Sequence, residues 1–148
     1  MQAAGVEVVH STALSGCVES HGRLVDAEGT TIAQFRQQLA LPRHARQVRV
    51  AIELTDIDLT DASLHDVCLA SRMMWRSESA AVEYGQQWQR HTDQRRRLDD
   101  VDWVEVADGA RTITLFPQGM PCHQRHGSQA LDTLIAASKT DTPRCQFV

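Results

Sequence analysis

The chain contains four cysteines, and their spacing restricts what kind of fold they can stabilise. They form neither a Cys-x-x-Cys pair nor the two close ligand pairs that structural zinc sites use. An even number of cysteines without such spacing favours disulfide bonds, which form in oxidising compartments. The candidates for disulfide bonding are Cys17, Cys68, Cys122 and Cys145.

The last two cysteines, Cys122 and Cys145, close a short loop at the C-terminal end of the sequence. We predict that they are bonded to each other, since Cys145 has no second metal ligand beside it. A bridge around a loop of this size would contribute about 3 kcal/mol to stability. Cys17 and Cys68 are candidates for a second bridge. Spacing alone does not fix which cysteines pair.

The bulk composition is that of a single folded domain covering residues 1–148. The sequence is 42% hydrophobic and 23% charged, which fits neither a disordered nor a membrane-embedded chain. A formal net charge of −4 gives no overall attraction to nucleic acid, so we expect no nucleic-acid partner. No segment has the length of a transmembrane helix. We therefore expect membrane attachment only through an N-terminal anchor that is missing from this sequence.

Alternating apolar and polar residues predict several strands. The clearest is at residues 47–55, where Val48, Val50, Ile52 and Leu54 occupy every second position. Asp108-Gly109 predicts a hairpin between the two strands that flank it. The predicted strands are residues 6–9, 22–25, 47–55, 101–106 and 111–116, and residues 145–148 fit a closing edge strand.

Three other segments fit helices. Ile32, Phe35 and Leu39 recur at helical spacing within residues 31–41, and Pro42 would end that helix. A further helix is predicted from residue 61 to about residue 74. Residues 128–138 fit a short helix or an irregular apolar segment, and residues 80–91 fit either a strand or a helix. The resulting prediction is an α+β domain with two or three helices and one antiparallel sheet that includes residues 47–55, 101–106 and 111–116.

No catalytic motif stands out, and we expect no metal and no cofactor. The nearest approach to one is Cys122 with His126, which could supply a nucleophile with its base or part of a metal site. This pair gives the strongest alternative function, a Cys/His enzyme or metal-binding protein. Three aromatic side chains are candidate interaction anchors, because tryptophan is enriched at protein interfaces: Trp75, Trp88 and Trp103.

The order of segments in the C-terminal half resembles the minor pilins and pseudopilins of type IV pili and type II secretion. In that family a charged stretch leads into a β-hairpin, then a strand ending in Ile-Thr-Phe-x-Pro-x-Gly, and finally a late strand that carries a cysteine. The matching segments here are residues 97–98, 101–106, 111–119, 131–135 and 144–148, with residues 65–69 in place of the family's earlier cysteine strand.

A second resemblance concerns residues 41–50 and 61–63, which are similar to the small pilotin lipoproteins of secretion systems. Residues 14–17, Leu-Ser-Gly-Cys, match the short pattern before a lipoprotein cysteine. Both resemblances imply a non-enzymatic assembly or binding subunit of a bacterial envelope machine, with protein partners and a location in the periplasm or cell envelope. The remaining alternative is a cytoplasmic immunity or chaperone-like protein whose thiols stay reduced.

Overall fold

The computed structural model describes residues 1–58, 68–92, 94–118 and 122–137, and all regular secondary structure in them is β. Twelve strands form three four-stranded antiparallel sheets. The predicted α+β class is therefore wrong, since none of the described residues lies in a helix. It follows that none of them belongs to a helix long and apolar enough to cross a membrane.

The chain divides into two compact units, Met1–Asp61 and Ala62–Val148, and we describe each by itself. The prediction of a single domain stays a prediction. The first unit is a meander in which each strand pairs with the next. Its strands are β1 (Gln2–Ser11), β2 (Ser15–Val25), β3 (Thr31–Pro42) and β4 (Arg49–Thr55).

The two faces of this first sheet differ in chemistry because side chains alternate along each strand. On one face, Glu19 is buried beneath an ion pair with Arg36 at 2.7 Å and a hydrogen bond from Gln38 at 2.7 Å. On the other face, the partners in the register are predominantly apolar, and Val18 lies opposite Leu39. The alternation predicted for residues 47–55 is confirmed by β4.

The helix predicted at residues 31–41 is wrong, because this segment forms β3. Ile32, Phe35 and Leu39 do fit a helical period. However, Ala33, Phe35 and Leu39 also share one face of a strand, and Ala33 and Phe35 are the residues that become buried. Pairing with β2 and β4 satisfies the backbone of β3 on both sides, so contacts from outside the segment decide its conformation.

The second unit contains the other two sheets, whose strand orders are β5-β12-β11-β8 and β10-β9-β6-β7. Its strands are β5 (Cys68–Met74), β6 (Ala81–Gln86), β7 (Gln89–His91), β8 (Arg97–Asp99), β9 (Trp103–Asp108), β10 (Arg111–Leu115), β11 (Cys122–His126) and β12 (Ala130–Ala137). Side chains from both sheets share one hydrophobic core, formed by Trp75, Val82, Tyr84, Leu98, Val101, Val104, Val106 and Leu131.

The hairpin predicted at Asp108-Gly109 is confirmed, since Asp108 pairs with Arg111 across a two-residue loop. Gly109 has a φ of +63°, the left-handed conformation that glycine adopts without a steric penalty. The prediction that residues 101–106 and 111–116 share a sheet with residues 47–55 is wrong. Strands β9 and β10 belong to the second unit, whereas β4 belongs to the first.

The two remaining helix predictions are also wrong where the structure describes them. Residues 68–74 form β5, and residues 130–137 form β12, which pairs with both β5 and β11. A β-bulge between Leu134 and Ala136 interrupts the alternation of β12 and explains why its sequence does not read as a strand. The start of the second predicted helix and residues 145–148 lie outside the described residues.

Three glycines in the strands lie directly beneath aromatic rings. A Cβ on Gly22 would meet Phe35, one on Gly5 would meet His21, and one on Gly85 would meet Trp103. Each ring belongs to the cross-strand partner of its glycine. The ring covers backbone that the glycine leaves bare, an arrangement that stabilises a glycine in a sheet.

We expect Gly22→Ala to lower the free energy of unfolding by about 1–3 kcal/mol, because its Cβ would overlap the backbone of β1 as well as Phe35. Gly16→Ala is the matched control on the same strand, where the nearest atom beyond the adjacent residues, the His10 carbonyl oxygen, lies 3.9 Å from the new Cβ. Urea denaturation followed by circular dichroism measures both variants. Equal destabilisation by the two substitutions would contradict this account of Gly22.

Candidate functional site

The most unusual surface feature is Trp88, whose side chain is fully exposed. It lies at the tip of the β6–β7 hairpin, in a two-residue loop with Gln87 between the paired residues Gln86 and Gln89. A large apolar side chain held entirely in solvent gains nothing from the hydrophobic effect. Its position on a projecting turn makes it available to a partner. We call residues 81–91 the tryptophan hairpin.

The backbone of this loop is strained. Gln87 and Trp88 have φ values of +50° and +68°, the pattern of a type I′ turn, which normally contains Asn-Gly. A side chain other than glycine in this region costs about 1–2 kcal/mol per residue. Such strain concentrates at functional sites, where the side chain displayed has a use that offsets it.

The base of the tryptophan hairpin is fixed to the core. The Tyr84 ring is only 2% exposed and stacks on His91 across the two strands, with ring centroids 5.0 Å apart. The Gln86 side-chain amide donates a hydrogen bond to the Asp99 carbonyl at 2.9 Å, and the Asp102 amide donates to the Gly85 carbonyl at 2.8 Å. These contacts hold the strands that carry the tip.

A second aromatic group lies on the face of the hairpin opposite Tyr84. The Arg90 guanidinium lies over the Trp103 ring, 5.1 Å from its centroid, and Arg90 also forms an ion pair with Glu83 at 2.7 Å. Trp103 in turn covers Gly85. Arg90 is exposed and Trp103 is only partly buried, so this cation–π pair extends the surface next to the tip.

The three tryptophans of the sequence analysis therefore have different environments. Trp75 belongs to the hydrophobic core, and its Nε1 donates a hydrogen bond to the Ser128 carbonyl at 3.0 Å. Trp103 is half-buried against the sheet, and Trp88 alone of the three is fully exposed. Sequence reasoning did not find the strained turn or Arg90. Gln87-Trp88 carries none of the residues that mark a type I′ turn.

Cys122, at the start of β11, is a buried thiol that donates a hydrogen bond to an Asp99 carboxylate oxygen at 3.0 Å. Burial, and then the hydrogen bond and charge of Asp99, raise the pKa of the Cys122 thiol to about 12. Burial also raises the pKa of Asp99, but the hydrogen bond from Cys122 and the ion pair with Arg97 outweigh it and leave that pKa below its ordinary value. A thiol in this environment is protonated at neutral pH and is a poor nucleophile.

The structure does not bring Cys122 and His126 together. They lie at opposite ends of the five-residue strand β11, about 13 Å apart along the strand at 3.3 Å per residue. His123 is closer, but neighbouring residues of a strand point to opposite faces, and its Nδ1 lies 3.1 Å from the Thr133 hydroxyl. Among the described residues, no group of three or more His, Cys, Asp or Glu side chains could hold a metal ion.

The predicted disulfides stay predictions. Cys17 lies on β2 of the first unit and its side chain is buried. Cys145 lies outside the described residues, and for Cys68 only the backbone of β5 is described. The structure therefore leaves open both the pairing of Cys122 with Cys145 and that of Cys17 with Cys68.

One cleft of the second unit, with a volume of about 670 Å³, is lined mainly by exposed residues of mixed charge. Arg96, Arg125 and His126 face it together with Glu78. Enzyme sites usually enclose a few polar groups whose pKa values are shifted by burial and by close charges. This cleft has the open, hydrated lining of an ordinary surface depression.

We expect the Cys122 thiol of the reduced protein to react with iodoacetamide at pH 9 at least about 100-fold more slowly than an ordinary thiol, which titrates near pH 8.5. The measurement uses a variant in which Cys122 is the only cysteine (Cys17→Ala, Cys68→Ser, Cys145→Ser). Its alkylation rate should keep rising from pH 9 to pH 11, because a pKa of about 12 lies above that range.

Two controls accompany this prediction. In urea the profile should return to that of an ordinary thiol, and Asp99→Asn should shift the folded profile to lower pH by removing the neighbouring negative charge. A folded profile that levels off near pH 9 would show that the environment of Cys122 does not suppress ionisation.

The chain was compared with known proteins at the levels of family, sequence and structure. No family model matches it, and neither a curated protein nor a solved structure does. Any functional conclusion therefore depends on the residues and their geometry.

Proposed function

We propose that this protein is a non-enzymatic binding subunit, and that the tryptophan hairpin inserts Trp88 into an apolar pocket of a protein partner. The observation that carries this proposal is the full exposure of Trp88 on a turn whose backbone is strained. Tryptophan is the residue type most enriched among binding hot spots, where truncation costs about 2 kcal/mol or more. A contribution of that size offsets the strain of the turn.

The neighbouring contacts suit such a role. Tyr84, Gln86 and Asp102 fix the base of the hairpin, so its strands lose little conformational entropy when a partner binds. Arg90, held over Trp103, adds a cation beside the tip. An aromatic anchor surrounded by polar groups such as Gln86, Gln89 and Arg90 has the composition of a protein interface.

The chemistry of the cysteine region favours binding over catalysis. A Cys/His enzyme needs an ionised thiol and a base within hydrogen-bonding reach. Here the pKa of Cys122 is raised to about 12, and His126 lies at the other end of β11. The enzyme alternative built on Cys122 and His126 therefore finds neither condition met in the described part of the chain.

The proposed setting is an extracytoplasmic assembly of the bacterial envelope, and its support is the resemblance of the C-terminal segments to minor pilins together with the even cysteine count. One observation favours the cytoplasmic alternative, since Cys122 donates a thiol hydrogen bond to Asp99. Mass spectrometry of the native protein, alkylated with and without reductant, distinguishes the two settings. A Cys122–Cys145 bond supports the envelope, and four thiols support the cytoplasm.

Site-specific photo-crosslinking in producing cells tests the binding role. A photoreactive phenylalanine analogue at position 88 should give one adduct of defined mass, at least about 10-fold more abundant than adducts from position 116, given that hot spots dominate interfaces. Phe116 is the matched control because it is another exposed aromatic residue of the second unit. Equal labelling at both positions, or no adduct at position 88, would refute the proposal.

A loop replacement separates binding from stability. The variant Gln87→Asn/Trp88→Gly should raise the free energy of unfolding by about 1–2 kcal/mol, because Asn-Gly adopts the type I′ turn without strain. The same variant, crosslinked through a photoreactive group at Gln89, should lose the adduct that the parent chain forms there. A variant that is less stable, or that keeps the adduct, would contradict the role given to Trp88.

A further inference from the structure

We propose that the apolar face of the first sheet is a self-association surface on which a second copy of this chain docks face to face. This surface belongs to the first unit and is separate from the tryptophan hairpin. We call it the apolar face, and its large members are Val6, Val8, Val18, Leu24, Phe35, Leu39, Leu41, Val50, Ile52 and Leu54.

The register of the strands defines this face. Residues directly opposite each other on paired strands point to the same side of a sheet. One row crosses all four strands as Val8, Val18, Leu39 and Val50. Two parallel rows are Val6-Ser20-Gln37-Ile52 and Ala3-Gly22-Phe35-Leu54. The face is therefore continuous from β1 to β4.

Part of this face is open to solvent, while Phe35 and Ala33 towards one end of it are already buried. Val6 and Val8 are 68% and 67% exposed, and Val50 on the opposite edge strand is 50% exposed. Isolated exposed valines are common, but a continuous apolar surface of several hundred Å² on a folded protein marks an interaction site. A sheet with one apolar face also needs a second layer to bury it.

The charge distribution selects a second copy as the occupant. The charged residues of these four strands all lie on the opposite face, where Glu7 pairs with Glu19, and Arg36 with Glu53. The other two charged residues, Arg23 and Arg49, also lie on the charged face, where their cross-strand partners are Gln34 and Ala40. A two-fold interface brings the same surface of both copies together, so charges on that surface would repel their own copies. Two apolar faces can meet without such repulsion, because the charged residues of these strands lie on the other face.

The outline of the sheet sets an upper limit on the area that a dimer could bury. Four strands about 4.8 Å apart give a width of about 19 Å, and ten residues at about 3.3 Å each give a length of about 33 Å. The strands contain ten, eleven, twelve and seven residues. The outline therefore covers about 600 Å² per copy and about 1,200 Å² for two, and the part around the buried Phe35 and Ala33 is not available to a partner. The area that remains lies at the low end of the size range, that of weak interfaces.

Two neighbouring substitutions on β4 test this proposal. Val50 and Ala51 are both exposed, but their side chains lie on opposite faces, opposite Leu39 and Gln38 respectively. Sedimentation analysis of the full chain should show a dimer at micromolar concentration. Val50→Glu should weaken that dimer by at least about 100-fold, because each copy would bury an unpaired carboxylate in an apolar interface. Ala51→Glu should leave it unchanged.

Further variants keep the test decisive if Val50→Glu impairs folding. Val8→Thr preserves the β-branched shape and the uncharged state while removing apolar surface from β1, and it should weaken the dimer measurably. Trp88→Ala should leave the dimer intact, which separates this surface from the proposed binding hairpin. A monomeric parent chain overturns the proposal. A dimer that persists in Val50→Glu, or one lost equally in Ala51→Glu, also overturns it.

Discussion

The packing of Tyr84 links the core of the second unit to its most exposed feature. Its ring lies in the hydrophobic core with Val82 and Val104, and it also stacks on His91 of β7. Strand β7 has three residues and is held to the sheet by β6 alone, so its backbone pairing is short. Aromatic pairing of this kind adds about 0.5–1.5 kcal/mol beyond burial. The hairpin that displays Trp88 therefore depends on a side chain whose own position is fixed by the core.

The chain follows local backbone preferences at some positions and violates them at others. Where glycines interrupt strands, an aromatic cross-strand neighbour covers the bare backbone, as Phe35 does for Gly22 and Trp103 does for Gly85. At the β6–β7 turn the opposite occurs, because Gln87 and Trp88 occupy a conformation that favours glycine. Natural sequences usually violate a local preference of this kind where the residue displayed has a function. The contrast supports a functional reading of the turn.

The two proposed surfaces have different physical characters. The tryptophan hairpin offers one large side chain on a narrow projection, which suits insertion into a pocket. The apolar face offers a broad uncharged sheet, which suits stacking against another sheet at a spacing of about 10 Å. If both operate, a dimer carries two copies of Trp88 and can bind a repetitive partner with greater avidity than a monomer. An assembly subunit uses both kinds of contact.

The sequence by itself determined the strands with clean alternation and glycine-marked turns. Residues 47–55 and the Asp108-Gly109 hairpin were predictable because period-two alternation and a glycine at positive φ are local signals. The tertiary structure alone decided that residues 31–41, 68–74 and 130–137 are strands. The helical signals in these segments are local, whereas pairing with other strands satisfies their backbone in the extended form. The tertiary structure also decided the candidate site. It leaves Trp88 exposed and buries Trp75, and it places the Cys122 thiol in a hydrogen bond with Asp99 and away from His126. No local sequence pattern encodes these contacts.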